Sequence, residues 1–493
     1  MIFAIDFGTS NSLIACYLNN KVEIIPNERG ERLTPTAISF KSDEEVYIGE
    51  IAKQQSVIEA ANTVLNIKRQ LGSGHEFFYN GRSYRPSELA ALVLKKLKNH
   101  AEKTTGEKVK KIVLSVPAYF NNLQRQDLLH AAYLAGLEVV QLINEPTAAA
   151  LAYQIEGKKK ILVVDFGGGT LDISYILGEN LSYKVKAVSG NNHMGGIDYD
   201  LKFADFIIEK YLKEFNIDLK QDEIAYQQIL NNAERIKKDL SSAEEIDLAI
   251  PYISVTEKGQ IHIKEKVTRE SFKEQTQSLT QSILNTLNKF LDENEITGKD
   301  IDCLIFAGGG TRICGIADSI KNAVLKEKSK IKFLSHINQD EVVVYGAAVY
   351  AGILEKKIKD IDFYDVTSHS LGILDHHERF VELIPKNTLY PVSADKIFTT
   401  VEDNQEEVYI PVCQKDDSSE LIYHGELALK NLPHAKGGEV KISVIFNMDK
   451  NCVLQIKAVE MDTLSHSHIE LEVPFVKRVE KKSERRGQGI KII

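Results

Sequence analysis

A chain of 493 residues is longer than one hydrophobic core usually supports, so two or three domains are expected. Its 43% hydrophobic and 27% charged residues are ordinary for a globular protein, and a formal charge of -9 argues against a general nucleic-acid binder, which needs a basic face. Five cysteines (Cys16, Cys303, Cys314, Cys413, Cys452) with neither paired short spacing nor an even count argue against a disulfide scaffold or a zinc site and suit a reducing compartment.

Residues 2–15, "IFAIDFGTSNSLIA", set an acid, a glycine and hydroxyls between two apolar runs. The first run starts too early to leave room for a signal peptide, and no run approaches the ~18 apolar residues of a membrane span, so a cytoplasmic protein with no membrane partner is expected. Residues 27–40 read as a turn-rich connection into a strand. Leu89, Leu92, Val93 and Leu97 have helical spacing within residues 85–104. "KKIVLSVPAYF" is a strand leading into a helix over 122–136 that Gly136 terminates. After "VVQLINEPTAAALAY", residues 161–176, "ILVVDFGGGTLDISYI", repeat the arrangement of acid, glycine and hydroxyl. Two similar halves of alternating strands and helices predict α/β lobes related by duplication, 1–158 and 159–357.

Residues 204–242 and 269–293 read as long helical patterns, "CLIFAGGG" at 303–310 as a buried strand ending in glycines, and 340–357 as a last helix. From residue 370 the runs shorten to "VYIPV", "LIYHGELAL", "VKISVIF", "CVLQIKAVEM" and "HIELEVPF", separated by turn residues. They predict an all-β domain over 367–475, reached by a linker at 358–366. A tail at 476–493 follows, whose residues from 477 on include seven basic and two acidic side chains and read as solvated or frayed.

Glycines between strands let a ligand approach main-chain N–H groups, and successive N–H groups make a nest for phosphate oxygens. Thr9, Ser10 and Thr170 add hydroxyls. Asp6, Asp165 and Asp172, aimed at the same oxygens, would repel them unless a hard divalent cation lay between; Mg²⁺ is the usual choice, often through its waters. One such loop is more often a tight hairpin. Two copies, with a third glycine turn at Gly308, Gly309 and Gly310, favour a nucleotide.

The motifs "IDFGTSNS", "VPAYFNNLQRQ", "INEPTAAALAY", "VDFGGGTLDIS", "GNNHMGGIDYD", "AERIKKDLSS", "FAGGGTRI" and "YGAAV", in that order, resemble those of the seventy-kilodalton heat-shock chaperones of the bacterial type. "SLGI", "IPKNT" and "TTVEDNQ" extend the resemblance to residue 475. It implies a bilobed actin-like ATPase domain of two ribonuclease-H-like lobes, then a β-sandwich that holds extended apolar segments of unfolded polypeptides. It also implies ATP and ADP, Mg²⁺ with K⁺ as a further candidate, a J-domain co-chaperone and a nucleotide-exchange factor.

By motif position the resemblance implies that Lys68 stands beside the γ-phosphate, that Glu145 positions the attacking water, and that Thr170 and Asp172 assist; Asp6, Asp165 and Asp172 would face the metal. Gly8, Thr9, Ser10, Asn11, Gly167, Gly168, Gly169, Gly195 and Gly196 would cradle phosphates. Glu234, Lys237, Lys238, Ser241, Gly308, Gly309, Gly310, Arg312 and Asp340 would surround the adenosine, and offsets of three and four put Glu234, Lys237 and Ser241 on one helix face. Pro117, Arg125 and Asp365 match residues that relay nucleotide state. Ile373, His376, Phe398, Val401, Val408 and Ile410 fall where the peptide cleft is lined; sandwich core is the competing reading, of equal weight for Ile410.

The chain departs from the family pattern at several places. Lys238 replaces an arginine that stacks on adenine, a poorer stacking group, so weaker nucleotide affinity is expected. Ile197, in "GGIDYD", replaces an acid beside the retained Asp198. Gln141 stands at a usually basic position that responds to J-domain partners, which favours a dedicated partner. Asp362, Phe363 and Tyr364 interrupt the leucine run of the linker before Asp365 and Val366, so linker docking should be weaker or differently matched. No counterpart of the family's helical lid follows the β region, so peptides are expected to exchange quickly. A nucleotide-dependent scaffold docking one dedicated partner is the alternative, and a small-molecule kinase a weaker third.

Overall fold

The computed structural model describes residues 1–42, 45–155, 157–179, 182–256, 259–325, 330–358, 361–417, 419–461 and 491–492. The strand expected at 468–475 and nearly all of the basic tail lie outside these residues; within the tail, Lys491–Ile492 pairs in parallel with Glu45–Ile48.

Two six-stranded sheets carry the same strand order. In the first, Glu138–Asn144, Lys111–Val116, Ile2–Phe7, Asn11–Leu18 and Lys21–Ile24 lie side by side, with the short Thr34–Pro35 also on Asn11–Leu18. In the second the order is Lys332–Leu334, Cys303–Ala307, Lys159–Phe166, Leu171–Glu179 and Ser182–Asn191. Each has an antiparallel hairpin at its centre and a parallel strand beside it. The glycines of both acid-glycine-hydroxyl stretches sit at the hairpin turns, so the period-2 apolar runs on either side bury in the sheet while the turns face outwards.

Helices Glu145–Ala152 and Val342–Leu354 lie between the sheets. They cross so closely that a Cβ on Gly346 would stand 1.7 Å from the Ala148 carbonyl oxygen, so no other residue fits there. One buried cluster joins Ala4 and Val113 of the first sheet, Val163 and Ile305 of the second, and Ala148 and Ala347 of the helices. This shared core fixes the two hairpin turns opposite each other.

Residues 204–242 form two helices, Gly196–Phe215 and Glu223–Asp239, in place of one long pattern. Asn216 takes a left-handed φ of 55° that stops the first, and the Asp222 carboxylate accepts the N–H groups of Ile224 and Ala225 to start the second. The hairpin Glu245–Thr256 and Gly259–Thr268, absent from the sequence reading, precedes Arg269–Glu293, where the helical pattern is a single element capped by Thr268. The helix expected over 122–136 runs Asn122–Leu134, with Gly136 at φ 68°.

The C-terminal region is all β: a four-stranded sheet of Phe380–Ile384, Ser370–Leu374, Glu407–Lys415 and Leu421–Lys430, and a three-stranded sheet of Val392–Thr399, Lys441–Met448 and Leu454–Glu460. Leu371, Ile410, Leu427, Val444, Phe446 and Ile456 form a core common to both. The stretch read as a tether carries a strand of its own: Phe363–Tyr364 pairs in parallel with Ser182–Asn191, becoming the sixth strand of the second sheet. Among the described residues no helix is long and apolar enough to cross a membrane.

Candidate active site

A cleft of about 520 Å³ opens where the two hairpin turns meet. Gly8, Thr9, Ser10 and Asn11 line one side and Gly167, Gly168, Thr170 and Gly196 the other. The turns touch: a Cβ on Gly168 would come 2.2 Å from Ser10 Oγ, and one on Gly169 would come 2.4 Å from Thr9 Oγ1. Only glycine lets the two loops approach this closely and leave backbone facing the cavity. Gly169 and Gly195 lie behind the cleft surface rather than on it.

At the bottom, Lys68 Nζ donates to Glu145 Oε1 at 2.6 Å, and both side chains are buried. Lys68 sits on the 3-10 turn Ile67–Gln70; Glu145 opens the helix Glu145–Ala152. Burial opposes the charge on Lys68, yet Glu145 and Asp6 beside it keep its pKa above the usual lysine value. Burial, with Glu145 next, pushes Asp6 up to about 7, although Ser115 Oγ donates to its carboxylate at 2.6 Å. Burial and the Glu145 charge raise Asp165 well above the carboxylate range. Burial lifts Asp172 to about 6.

Asp165 and Asp172 are direct cross-strand partners, and like charges so placed repel. Four carboxylates crowd one buried ammonium. Among the described residues no three His, Cys, Asp or Glu converge closely enough to ligate a metal together. Asp6 and Asp165 do line the cleft surface, and carboxylate oxygens are the kind of donor that holds a hard cation through its waters. Asp172 does not reach that surface: it is fully buried behind it, and its Oδ1 accepts the Tyr119 backbone N–H at 2.8 Å.

The far side of the cleft is lined by Glu234, Lys237, Lys238, Ser241, Gly308, Gly309, Gly310, Arg312 and Asp340. Glu234 accepts from Lys53 at 2.7 Å and Lys238 at 2.6 Å, and these ammoniums overcome its burial and hold it down to about 2. Lys238 thus has its charge engaged by the preceding turn of its own helix. Lys237 donates to Asp200 at 2.6 Å and to the Gly196 carbonyl at 2.9 Å, and Arg312 pairs with Asp340.

Behind the cleft, buried Arg125 donates to the carbonyls of Pro117, Ala118 and Phe120 and to Asn144 Oδ1 at 2.8 Å. These same segments hold the C-terminal β region. Asn144 Nδ2 donates to the Tyr390 hydroxyl at 3.3 Å, Thr147 Oγ1 to Asp365 at 2.8 Å, and the Leu454 N–H to Asn122 Oδ1 at 3.0 Å. Gln141 is buried there, its amide donating to the Lys450 carbonyl at 2.8 Å, while Leu142 N donates to Asn451 Oδ1.

The six residues expected to line a peptide cleft do not share one environment. Ile373 and Ile410 are buried in the β core, Phe398 and Val408 pack against it, and Val401 and His376 are exposed. Sequence reasoning missed Lys53, Arg69, Asp200 and Tyr119, which complete the cleft and its surroundings. Each is a lone residue outside any repeated spacing, so only three-dimensional proximity reveals it.

The geometry is two glycine turns facing across a buried lysine–glutamate pair, with a separate β region docked behind the cleft. A family model described as Hsp70 protein matches residues 2–78 and 74–486. The chain belongs to the Hsp70 family, whose members are ATP-binding, ATP-hydrolysing chaperones. The family generally uses Mg²⁺ with its nucleotide and binds unfolded polypeptides, J-domain co-chaperones and exchange factors.

Proposed function

We propose that this protein hydrolyses ATP to ADP and phosphate between two ribonuclease-H-like lobes, residues 1–158 and 159–357, and couples nucleotide state to the binding of extended apolar peptides by a β-sandwich at 367–475. The observation that carries this reading is the Lys68–Glu145 pair at 2.6 Å on the floor of a cleft walled by both glycine turns. Phosphoryl transfer asks mainly for positioning and charge stabilisation. Backbone N–H groups of the two turns, those of residues 8–11 on one side and of Gly168 and Thr170 on the other, hold the phosphate chain, while the Gly167 N–H closes its own turn on the Thr170 carbonyl. Lys68 meets the charge developing on the transferred group, and Glu145 orients the attacking water. Glu234, Lys237, Ser241 and Arg312 hold the nucleoside. Mg²⁺, when bound, neutralises phosphate charge against Asp6 and Asp165.

Lobe closure supplies the two-state element, and Arg125, Pro117 and the Thr147–Asp365 contact carry it to the linker 358–366. Single-turnover ATP hydrolysis with and without a saturating apolar heptapeptide tests the proposal: acceleration is expected. Hydrolysis indifferent to a peptide that demonstrably binds would remove the coupling.

A second reading, a nucleotide-dependent scaffold docking one dedicated partner, draws support from two placements. Ile373 and Ile410 are core residues, and Gln141 is engaged within the protein instead of being presented to a J-domain. A peptide array separates the two: many unrelated apolar segments bound favours the chaperone, few or none the scaffold.

A further inference from the structure

Arg69, next to Lys68, reaches from the first-sheet side to the second behind the cleft surface. Its Nη1 and Nη2 donate to the two oxygens of Asp198 at 3.1 and 2.5 Å, while Nε and Nη2 donate to the Gly169 carbonyl at 3.1 and 2.9 Å. Asp198 is itself tied down, its Oδ2 accepting the Gly195 N–H at 2.7 Å. The turn at Gly195 and Gly196 in turn rests on the second glycine loop, since Gly196 N and Ile197 N donate to the carbonyls of Gly167 and Gly168, each at 3.0 Å. One guanidinium therefore holds both glycine turns of the second side against the segment that carries Lys68.

Arg69 does not line the cleft. It acts on the nucleotide site through its neighbours, by fixing where the 167–170 backbone stands relative to the Lys68 ammonium. Lys53–Glu234 and Arg32–Glu341 also join residues of 1–158 to residues of 159–357 near the cleft, but both pairs are partly exposed and neither touches the glycine turn at 167–170, which Arg69 holds through the Gly169 carbonyl. A planar fork of donors reaches a carboxylate and a carbonyl together, which a lysine ammonium does not do.

We propose that Arg69 is a positioning residue for phosphoryl transfer: a latch between the two sides that sets the separation of Lys68 from the phosphate-binding turn at 167–170. The proposal rests on the ATPase reading above, and it concerns geometry that affinity for substrate alone does not report.

The test compares wild type, Arg69→Lys, Arg69→Ala, Asp198→Asn and the double variant Arg69→Ala/Asp198→Asn. Single-turnover ATP hydrolysis, stopped-flow release of a fluorescent ADP analogue and the thermal midpoint are measured for each. The single variants are expected to lower the hydrolysis rate constant at saturating ATP roughly tenfold to a hundredfold, as misplacement near the reacting group does, and to speed ADP release. The double variant should be no slower than the worse single one, because both substitutions break the same latch. The midpoint should move little, since the pair is partly solvated, whereas a merely structural residue would move the midpoint and spare the rate per folded molecule. Arg69→Lys hydrolysing at the wild-type rate, or additive losses in the double variant, would overturn the latch; Arg69→Lys decides the matter if Arg69→Ala fails to fold. If the wild type binds nucleotide without hydrolysing it, the ATPase reading fails and the release rates alone judge the latch, with unchanged release overturning it.

Discussion

The ring of Tyr119 lies against the imidazole of His369 with centroids 4.4 Å apart, joining the segment behind the cleft to the residue that leads into the strand Ser370–Leu374. Burial pushes His369 down to about 3, with Asp417 and Asp416 pulling it up and Lys386 and His424 pulling it down. His424, also pushed by burial to about 4, shares a 2.7 Å hydrogen bond with Gln414, whose Oε1 accepts the Asn122 N–H. Burial holds both imidazoles neutral, and release that exposes them is expected to return them towards the ordinary histidine value of about 6.5. Their depressed values mean that docking is at full strength above that pH and weakens as the pH falls from about 6.5 towards 4, by up to about tenfold per histidine per pH unit. Energy transfer between dyes on the two regions should report less docking at pH 5.5 than at 7.5. His369→Leu and His424→Leu should flatten the slope.

Lys68→Met should reduce single-turnover hydrolysis by roughly a hundredfold or more while leaving ATP binding measurable, because the lost charge acts on the transition state. It should also destabilise the protein, since breaking a buried pair leaves Glu145 uncompensated at a cost of about 3–5 kcal/mol. Glu145→Gln in the same background should recover part of the thermal midpoint without recovering the rate. Recovery of both would assign the pair a packing role alone.

Asp165→Asn is expected to change sign with the medium. In the presence of Mg²⁺ it removes a counter-charge and should weaken ATP binding roughly tenfold; with the metal chelated it removes a repulsion from the phosphates and should tighten binding by a similar factor. Calorimetric titrations with and without chelator check this. The same direction in both media would mean that Asp165 does not face a cation.

Gln141→Ala removes the donor to the Lys450 carbonyl and leaves that acceptor without this partner inside the interface. A loss of about 1–2 kcal/mol is expected, roughly a fivefold to thirtyfold shift towards the undocked form. Hydrogen exchange of the 140–144 amides would rise accordingly, and unchanged protection would show that water replaces the bond without cost.

The cleft was largely legible in the sequence because its parts recur: acid, glycine and hydroxyl residues appear at both hairpins, and the duplicated strand order then places the copies face to face. Lys68 and Glu145 came from the resemblance; their own spacing carried no signal. Arg69, Lys53 and Tyr119 were not readable, since a lone basic or aromatic residue declares neither its direction nor its partner. The misread helix at 204–242 failed at "NIDLKQD", where Asn216 and Asp222 act through backbone conformation and capping that an apolar periodicity does not register. His369 stands just before a strand and His424 within one, and neither position announces its burial in the sequence.

The two-residue strand Phe363–Tyr364 gives the linker a mechanical character. It lies along the edge of the second sheet, paired at Tyr183 and Lys184, with Phe363 set edge-on to the Tyr350 ring at 4.7 Å. So short an attachment holds by few main-chain bonds, so little has to break for the linker to leave the sheet edge. Detachment then bares the main-chain groups at Tyr183 and Lys184 to any other extended chain. The force needed to part the two regions would be set by the side-chain contacts around Tyr119, Asn122 and Gln141, leaving the linker strand as the last, weakest thread.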